Sequence, residues 1–542
     1  MTGIVVAGMH RSGTSLMART LSAGGWHPGE QLLTGPGEEY FEDESFVALN
    51  RRWLAATVPP GEGHLDWGVS SGGVVDLAGL DDRAGKDQLA AAAAFARRRS
   101  GEQPRWVAKD PRASLFLPVW AEATEVQFVI VYRNPWDVVD SAVRLGAEVF
   151  CRSPGLARDA WLDHNTRLAT FASAYRDRCV VVAAEVLALD PARVWRTLDG
   201  AVGLGGDVPA DLVDPTKFVR RNDAHAIAGL YRTVYPDHVA VLDELDALAD
   251  LPRITAMPTG AAGLPGASLP GAGGSLPAGT GVQVVIACRD DGDFVVEAIA
   301  SVDQCGHPAV ELTLIDDGST DGETLRVLNA LRSSGRHVVT TPGVGLSAAR
   351  NLGAATSSTC AVLPLDADNR VRAPLLDAVG AIESGGVDIV HGPWRRFGMA
   401  TGTVTPPDIT LGGLVPRNTV DACALISRDL LERLGGWEAQ LPFWEDWELW
   451  IGASAVGART LRLDDVTFDY LVRPDSLSTL AETDARARER VVKHVVAKHA
   501  LFLGPTEGAK LIAGVAVPSG CRRVVRAGAK IAAKLRWGGR PA

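Results

Sequence analysis

At 542 residues the chain is long enough for two or more domains with substantial cores. Its hydrophobic content of 46% and charged content of 22% are ordinary for globular protein, and the net charge of -11 argues against broad nucleic-acid binding. The seven cysteines are scattered with no CxxC pair, so reduced thiols in a cytosolic protein are the simplest expectation and a structural zinc site is not expected. Thr2 to Ala7 already reads as a buried strand, which leaves no room for a signal peptide. No apolar run approaches the roughly 18–20 residues needed to span a bilayer.

In chain order, strands are predicted at Gly3–Ala7, Trp106–Ala108, Gln127–Tyr132 and Val180–Ala184, with helices between them that include Ser15–Ala23 and Trp136–Leu145. This alternation predicts a parallel sheet with helices on both faces. Residues 257–281 are nearly all small residues and proline and read as a flexible linker. Beyond them the alternation resumes, with strands near Val282–Ala287, Glu311–Ile315 and Ala361–Leu365 and helices such as Phe294–Val302 and Ser347–Ala355. The expected organisation is therefore a domain over 1–256, the linker 257–281, a second domain over 282–500 and a basic helical tail over 501–542. In that tail Arg522, Arg526, Lys530 and Lys534 recur at four-residue spacing, with Trp537 nearby. A solvated basic face is one reading, and a helix lying on anionic lipid is the other.

The first strand runs into Gly8-Met9-His10-Arg11-Ser12-Gly13-Thr14-Ser15 and then a helix. A strand, a Gly-x4-Gly loop and a helix form a phosphate-binding geometry, because backbone N–H groups and the helix N-terminus point at an anion. A triphosphate-binding Walker loop would carry Lys after the second glycine. Here Thr14 stands at that position and the basic residue is Arg11, which argues against an ordinary ATPase or kinase. The segment Arg11-Ser12-Gly13-Thr14-Ser15 resembles the 5′-phosphosulfate loop of the PAPS-dependent sulfotransferases. A second segment, Tyr132-Arg133-Asn134-Pro135-Trp136-Asp137-Val138-Val139-Asp140-Ser141, resembles their 3′-phosphate element. A third, Trp106-Val107-Ala108-Lys109-Asp110-Pro111-Arg112, resembles the stretch before their acceptor-facing loop. The resemblance covers about residues 1–250 and implies direct sulfuryl transfer from PAPS to a hydroxyl or amine. It implies phosphate contacts from Arg11, Ser12, Gly13, Thr14, Ser15, Arg133 and Ser141. Arg11 would stabilise the leaving phosphate electrostatically, since a guanidinium does not readily give up a proton. Glu42, in a segment similar to the family's Gly-Tyr-Phe-Glu, is the first candidate for the base, with His10 and Asp110 as alternatives. A carboxylate favoured at a helix N-terminus is the competing reading of Glu42.

The second domain carries Asp290 after its first strand, Leu314-Ile315-Asp316-Asp317-Gly318-Ser319, Gly345-Leu346-Ser347-Ala348-Ala349-Arg350-Asn351-Leu352-Gly353, Leu365-Asp366-Ala367-Asp368 and Phe443-Trp444-Glu445-Asp446. Asp at a strand end is a hard oxygen ligand suited to Mn²⁺ or Mg²⁺, and a nucleotide-sugar diphosphate needs such a cation to neutralise its leaving group. The order and spacing of these motifs resemble a family 2 glycosyltransferase of GT-A fold over about 282–480. That resemblance implies base and ribose contacts from Asp290 and Asp316 or Asp317, and donor-site roles for Arg350 and Asp366. It implies a metal at Asp366 and Asp368, with Asp368 favoured for direct coordination. Asp446 would be the general base of an inverting transfer and Glu445 would help position the acceptor. Tryptophans around these acids would make a partly apolar pocket that raises a carboxylate pKa, and their faces could stack on a sugar. Arg473 belongs to a segment similar to the one that closes over the diphosphate.

The fold expectation is α/β: a P-loop sulfotransferase-like parallel sheet, a GT-A Rossmann-like glycosyltransferase domain and a short helical tail. The functional expectation is a bifunctional transferase using PAPS and a nucleotide sugar, UDP-linked as the first choice, with Mn²⁺ or Mg²⁺. Both reactions would serve one small-molecule, glycan or glycolipid acceptor. The expected location is cytoplasmic, with peripheral contact at the inner face of a membrane through the tail. The alternatives are a single-activity glycosyltransferase with a non-catalytic phosphate-binding N-terminal module, or a membrane-surface scaffold.

Overall fold

A computed structural model describes all residues except 1–2, 36–37, 57–63, 66, 71–72, 75–84, 214–220, 255–278, 415–417, 477–483, 501 and 504–542. Most of the predicted linker and nearly all of the predicted basic tail therefore lie outside the described residues. The chain divides into two compact units, Met1–Ser268 with Phe397–Ala400, and Leu269–Arg396 with Thr401–Ala542. Among the described residues no helix is long and apolar enough to cross a membrane.

The first unit is built on strands β1 (Gly3–Ala7), β4 (Trp106–Lys109), β5 (Gln127–Tyr132) and β6 (Cys179–Ala183), in the order β4-β1-β5-β6 and all parallel. Each is a near-continuous apolar run, and β1 and β6 are buried along their whole length, as a sheet covered on both faces requires. A hairpin of β2 (Leu32–Gly35) and β3 (Glu38–Asp43) precedes helix α2 (Glu44–Ala55). Phe46, Trp53, Phe95, Trp106, Phe116 and Trp120 interlock at ring separations of 4.8–5.8 Å and anchor that helix against the sheet. The phosphate-type loop joins β1 to α1 (Thr14–Ala23), and α3 (Pro135–Arg144) follows β5 with Pro135 in its first turn. Gly8 is dictated by close approach: a Cβ there would lie 2.2 Å from the Val131 carbonyl oxygen, and its φ is +153°.

The second unit is a GT-A-like α/β structure. Its main sheet runs β9 (Val338–Thr341), β8 (Val310–Asp317), β7 (Val282–Cys288), β10 (Ala361–Asp366), β13 (Leu425–Ser427), β12 (Ile389–His391) and β14 (Thr460–Arg462). The first four are parallel, and β13 enters antiparallel to both β10 and β12. Helices α4 (Gly292–Cys305) and α5 (Leu346–Ala354) cross over between the parallel strands. Gly353 lets α5 settle onto the sheet, because a Cβ there would stand 2.3 Å from Val285 Cγ1. A small strand pair, β11 (Arg370–Val371) with β15 (Phe468–Val472), brings a late segment back beside the end of β10. Helix α6 (Glu445–Ala455) closes that side, with Trp447 and Trp450 in the core.

Candidate active sites

Both candidate sites lie where open α/β sheets present them, at the carboxyl ends of parallel strands. In the first unit, Arg11 turns the loop at a left-handed φ of +67° and Gly13 at +91°. Gly13 caps α1 without a side-chain hydrogen bond, and the first turn of α1 has no acidic residue, so the positive end of the helix is not neutralised locally. The structure brings Arg11, Arg133 and Ser141 together. Arg11 Nε donates to Ser141 Oγ at 2.8 Å, and Arg133 Nη1 donates to the Arg11 carbonyl oxygen at 3.2 Å. Ser12 Oγ is buried and has no hydrogen-bond partner among the described residues. Burial pushes the Arg133 pKa down, Asp137 opposes that shift, and the Arg11 cation adds to it. Two guanidinium groups with a buried hydroxyl beside them make an arrangement that an anion would relieve.

Glu42 sits beside this loop. Lys109, at the end of β4, donates to Glu42 Oε1 at 2.6 Å, to Ser15 Oγ at 3.0 Å and to the Tyr40 carbonyl oxygen at 3.2 Å. Burial pushes the Lys109 pKa down and Glu42 holds it up. The N-cap of α2 is Asp43, which accepts from Ser45 N and Phe46 N at 3.0 and 3.1 Å. Glu42 therefore does not serve as the helix cap. The alternatives to Glu42 differ in access. Asp110 is fully buried, accepts from Asn50 Nδ2 at 2.9 Å and Arg112 N at 3.1 Å, and is raised by burial to a pKa of about 6. His10 is half-buried and stacks on Trp67 at 5.0 Å, with Nδ1 unpartnered among the described residues. Burial, then the nearby cations led by Arg112, hold its pKa well below the usual imidazole range. Lys109 stood inside the quoted Trp106–Arg112 segment, and the visible signal for it was a basic residue ending an apolar strand.

In the second unit the key link is Arg350 on α5. Its fully buried guanidinium donates to Asp366 Oδ1 at 2.5 Å and also to Glu445 Oε1. The two carboxylates hold its pKa above the usual value against the opposing effect of burial. One arginine thus ties the end of β10 to the start of α6. Next to Glu445, Asp446 accepts from Asn418 Nδ2 through both oxygens at 2.9 Å, and from Trp447 N at 2.8 Å. Burial first, then the neighbouring Glu445 charge, raise its pKa well above the carboxylate range. Asp421 also faces this cluster; burial and Asp366 raise it to about 7. Asn418 and Asp421 carry no local sequence signal, because only the tertiary fold brings them to the acids. Of the tryptophans, Trp447 and Trp450 are core residues and cannot stack on a sugar; only Trp444, half-buried at a φ of +62°, offers a face.

The expected metal pair is split in its contacts. Asp366 is partly exposed and bonded to Arg350, whereas Arg473 Nε lies 2.9 Å from Asp368 Oδ2. Burial, followed by Asp366 and Asp291 acting against Arg473, raises Asp368 to about 7. Among the described residues no three His, Cys, Asp or Glu side chains form a metal-holding group. A divalent ion on Asp366 and Asp368 would have to complete its shell with diphosphate oxygens, which suits a hard cation. The nucleotide-side residues are unequal. Asp290 Oδ1 accepts from Thr320 N and Asp321 N at 2.7 and 2.8 Å, bonds that hold its pKa down. Asp316 accepts from Ser319 N at 3.0 Å. Asp317 commits both oxygens to Thr341 Oγ1, Val344 N and Gly345 N at 2.6–2.9 Å, so it shapes the glycine turn.

Comparison with known proteins agrees with this division. The family described as "Sulfotransferase family" matches residues 3–205, and "Glycosyl transferase family 2" matches residues 283–435. The two matched segments do not overlap, and neither covers half of the chain. A search of curated proteins found no match. Among solved structures, S. aureus TarS 1-349 in complex with UDP-GlcNAc aligns at 18% identity and a TM-score of 0.36, over 44% of this chain and 72% of that one. The mannosyltransferase PcManGT from Pyrobaculum calidifontis, in complex with GDP-Man and Mn²⁺, aligns at 19% identity and 0.34, over 50% and 79%. Scores at this level are too low to transfer chemistry.

Proposed function

We propose that the chain is a bifunctional transferase, with PAPS-dependent sulfation in the sulfotransferase-family segment and inverting glycosyl transfer in the family 2 segment. The observation that carries the first activity is the meeting of Arg11, Arg133 and Ser141 beside a loop with an unpartnered buried hydroxyl. Arg133, Ser141 and the loop N–H groups hold the phosphates of PAPS. Arg11 stabilises charge on the leaving phosphate as the sulfur–oxygen bond breaks and the acceptor oxygen bonds to sulfur. Glu42 takes the acceptor proton, kept beside the loop by Lys109.

The second activity rests on the Asp366–Arg350–Glu445 link next to Asp446. Asp446 takes the proton of the acceptor hydroxyl, and burial, by raising its pKa, makes its ionised carboxylate a stronger base. Asn418 fixes the orientation of that carboxylate. Asp366 and Asp368 would hold a divalent cation, which would supply Lewis-acid neutralisation of the diphosphate. Asp290 and Asp316 face the nucleoside, and the Trp444 face lies toward the acceptor.

The test is a dual-label assay on the purified full chain with ³⁵S-labelled PAPS and a ¹⁴C-labelled UDP-sugar, screened over glycan and glycolipid acceptors. Arg11→Ala is expected to remove only ³⁵S incorporation, and Asp446→Asn only ¹⁴C incorporation. A wild-type protein that incorporates ¹⁴C but never ³⁵S at saturating PAPS would reduce the N-terminal unit to a binding module.

A further inference from the structure

Arg473 immediately follows the strand β15. β15 pairs with β11 immediately after the Asp366–Asp368 turn, and Leu471 N donates to Asn369 Oδ1 at 3.1 Å. The guanidinium then reaches across two carboxylates at once. Its Nε lies 2.9 Å from Asp368 Oδ2, while Nη1 and Nη2 donate to Asp291 at 2.7 and 3.2 Å. It packs over the Phe294 ring at 4.7 Å, and both Arg473 and Asp368 side chains are largely buried, at 14% and 13% exposed. Asp368 is thus already served by a positive charge supplied by the chain itself.

We infer that Arg473 and the divalent cation compete for Asp368, and that Arg473 pivots on Asp291 to hand the carboxylate to the metal once a nucleoside diphosphate offers the arginine another anion. This rests on the reading of the second unit as a metal-assisted nucleotide-sugar site and adds a coupling to it. A guanidinium in ion-pair contact with a carboxylate and a doubly charged ion bonded to the same carboxylate repel each other, so each weakens the other's hold. The move has somewhere to go: Asp291 keeps one side of the planar fork, and the freed side has the geometry for bidentate contact with phosphate oxygens. Metal and diphosphate therefore bind with positive coupling, and by reciprocity each raises the affinity for the other. Arg473 acts here as a positioning residue for the metal site.

The experiment measures Mn²⁺ binding directly, by the EPR signal of free Mn²⁺, in titrations of the full chain with MnCl₂ alone and with saturating UDP. In the wild type, UDP is expected to tighten Mn²⁺ binding at least about tenfold, a coupling of ordinary size. Arg473→Gln is expected to bind Mn²⁺ alone about tenfold more tightly than the wild type and to lose most of the UDP coupling. A merely structural role would weaken metal binding instead. If Arg473→Gln does not fold, Arg473→Lys decides: it keeps the charge without the fork, and Mn²⁺ binding without UDP should tighten by a smaller factor. Unchanged or weaker Mn²⁺ binding in the folded variant overturns the inference. A separate result bears on the underlying reading: if UDP-dependent Mn²⁺ binding is absent in the wild type, or survives Asp368→Asn, the metal site itself is wrong and the inference falls with it.

Discussion

The two candidate sites occupy the same place in their sheets, yet their charges are opposite. The first gathers Arg11, Arg133 and Lys109 around a phosphate-type loop, with Glu42 beside Lys109 and Asp137 beside Arg133. The second gathers Asp291, Asp366, Asp368, Asp421, Glu445 and Asp446 around Arg350 and Arg473. Both are read as binding phosphate esters. A cationic cradle can hold such an anion directly, through guanidinium forks and loop N–H groups. A carboxylate-rich cradle would repel it unless a divalent cation stands between them. The comparison teaches that strand-end position selects where a phosphate ligand goes, while the side chains decide whether a metal must come with it.

The comparison breaks most visibly at Asp446. Asp446→Asn is expected to lower glycosyl transfer by about a hundred- to ten-thousandfold, the range for losing a general base, with UDP binding retained. Steady-state rates paired with UDP titration check this. The matching change in the cationic site is Arg11→Ala, expected to lower sulfation by about a hundred- to thousandfold, as for loss of one preorganised charge-stabilising group. Its melting temperature without ligand should stay near the wild type, because Arg11 is exposed and its Ser141 contact lies at the surface.

A smaller effect sharpens the role of the scaffold. Gly353→Ala pushes a methyl group into Val285 and is expected to destabilise the second unit by about 1–3 kcal/mol through overpacking. Denaturant unfolding measures it, and glycosyl transfer should fall as α5 displaces Arg350, while sulfation is unaffected. The smallest change is in pH dependence. Burial raises the Asp446 pKa, so glycosyl transfer should rise with increasing pH through that raised value and be lost below it. Asn418 donates to both oxygens and favours the ionised form. Asn418→Ala should therefore move the acidic limb of the profile to higher pH, and a limb that stays in place or moves down would remove Asn418 from the account.

Much of this arrangement was legible in the sequence because it is local. β1 and β5 span Gly3–Ala7 and Gln127–Tyr132 as their apolar runs predict, and α1 begins one residue before the expected Ser15. Motif residues placed by a strand end, such as Arg11, Arg133, Asp316 and Asp366, follow from that register. What was not legible depends on contacts between distant segments. Lys109 meets Glu42 across 67 residues, Arg350 meets Glu445 across 95, and Asn418 reaches Asp446 from a loop with no motif of its own. The same limit applies to Asp317, whose Asp-Gly-Ser setting suggests a ligand contact while its oxygens close the glycine turn around Val344 and Gly345. The tryptophans near Asp446 read alike in sequence, but Trp447 and Trp450 lie on the buried face of α6, while Trp444, at the N-cap with a φ of +62°, is turned aside and only half-buried.

The most direct measurement is a thermal-shift panel on the full chain with PAP, UDP, UDP with Mn²⁺, and ATP with Mg²⁺. A ligand at about 100 times its dissociation constant stabilises the state it binds by roughly 2.7 kcal/mol. The account predicts a shift from PAP without added metal and a shift from UDP that requires Mn²⁺. Silence from PAP with a shift from ATP–Mg²⁺ would contradict the cationic site as a PAPS site, and a full UDP shift in EDTA would contradict the charge logic of the acidic one.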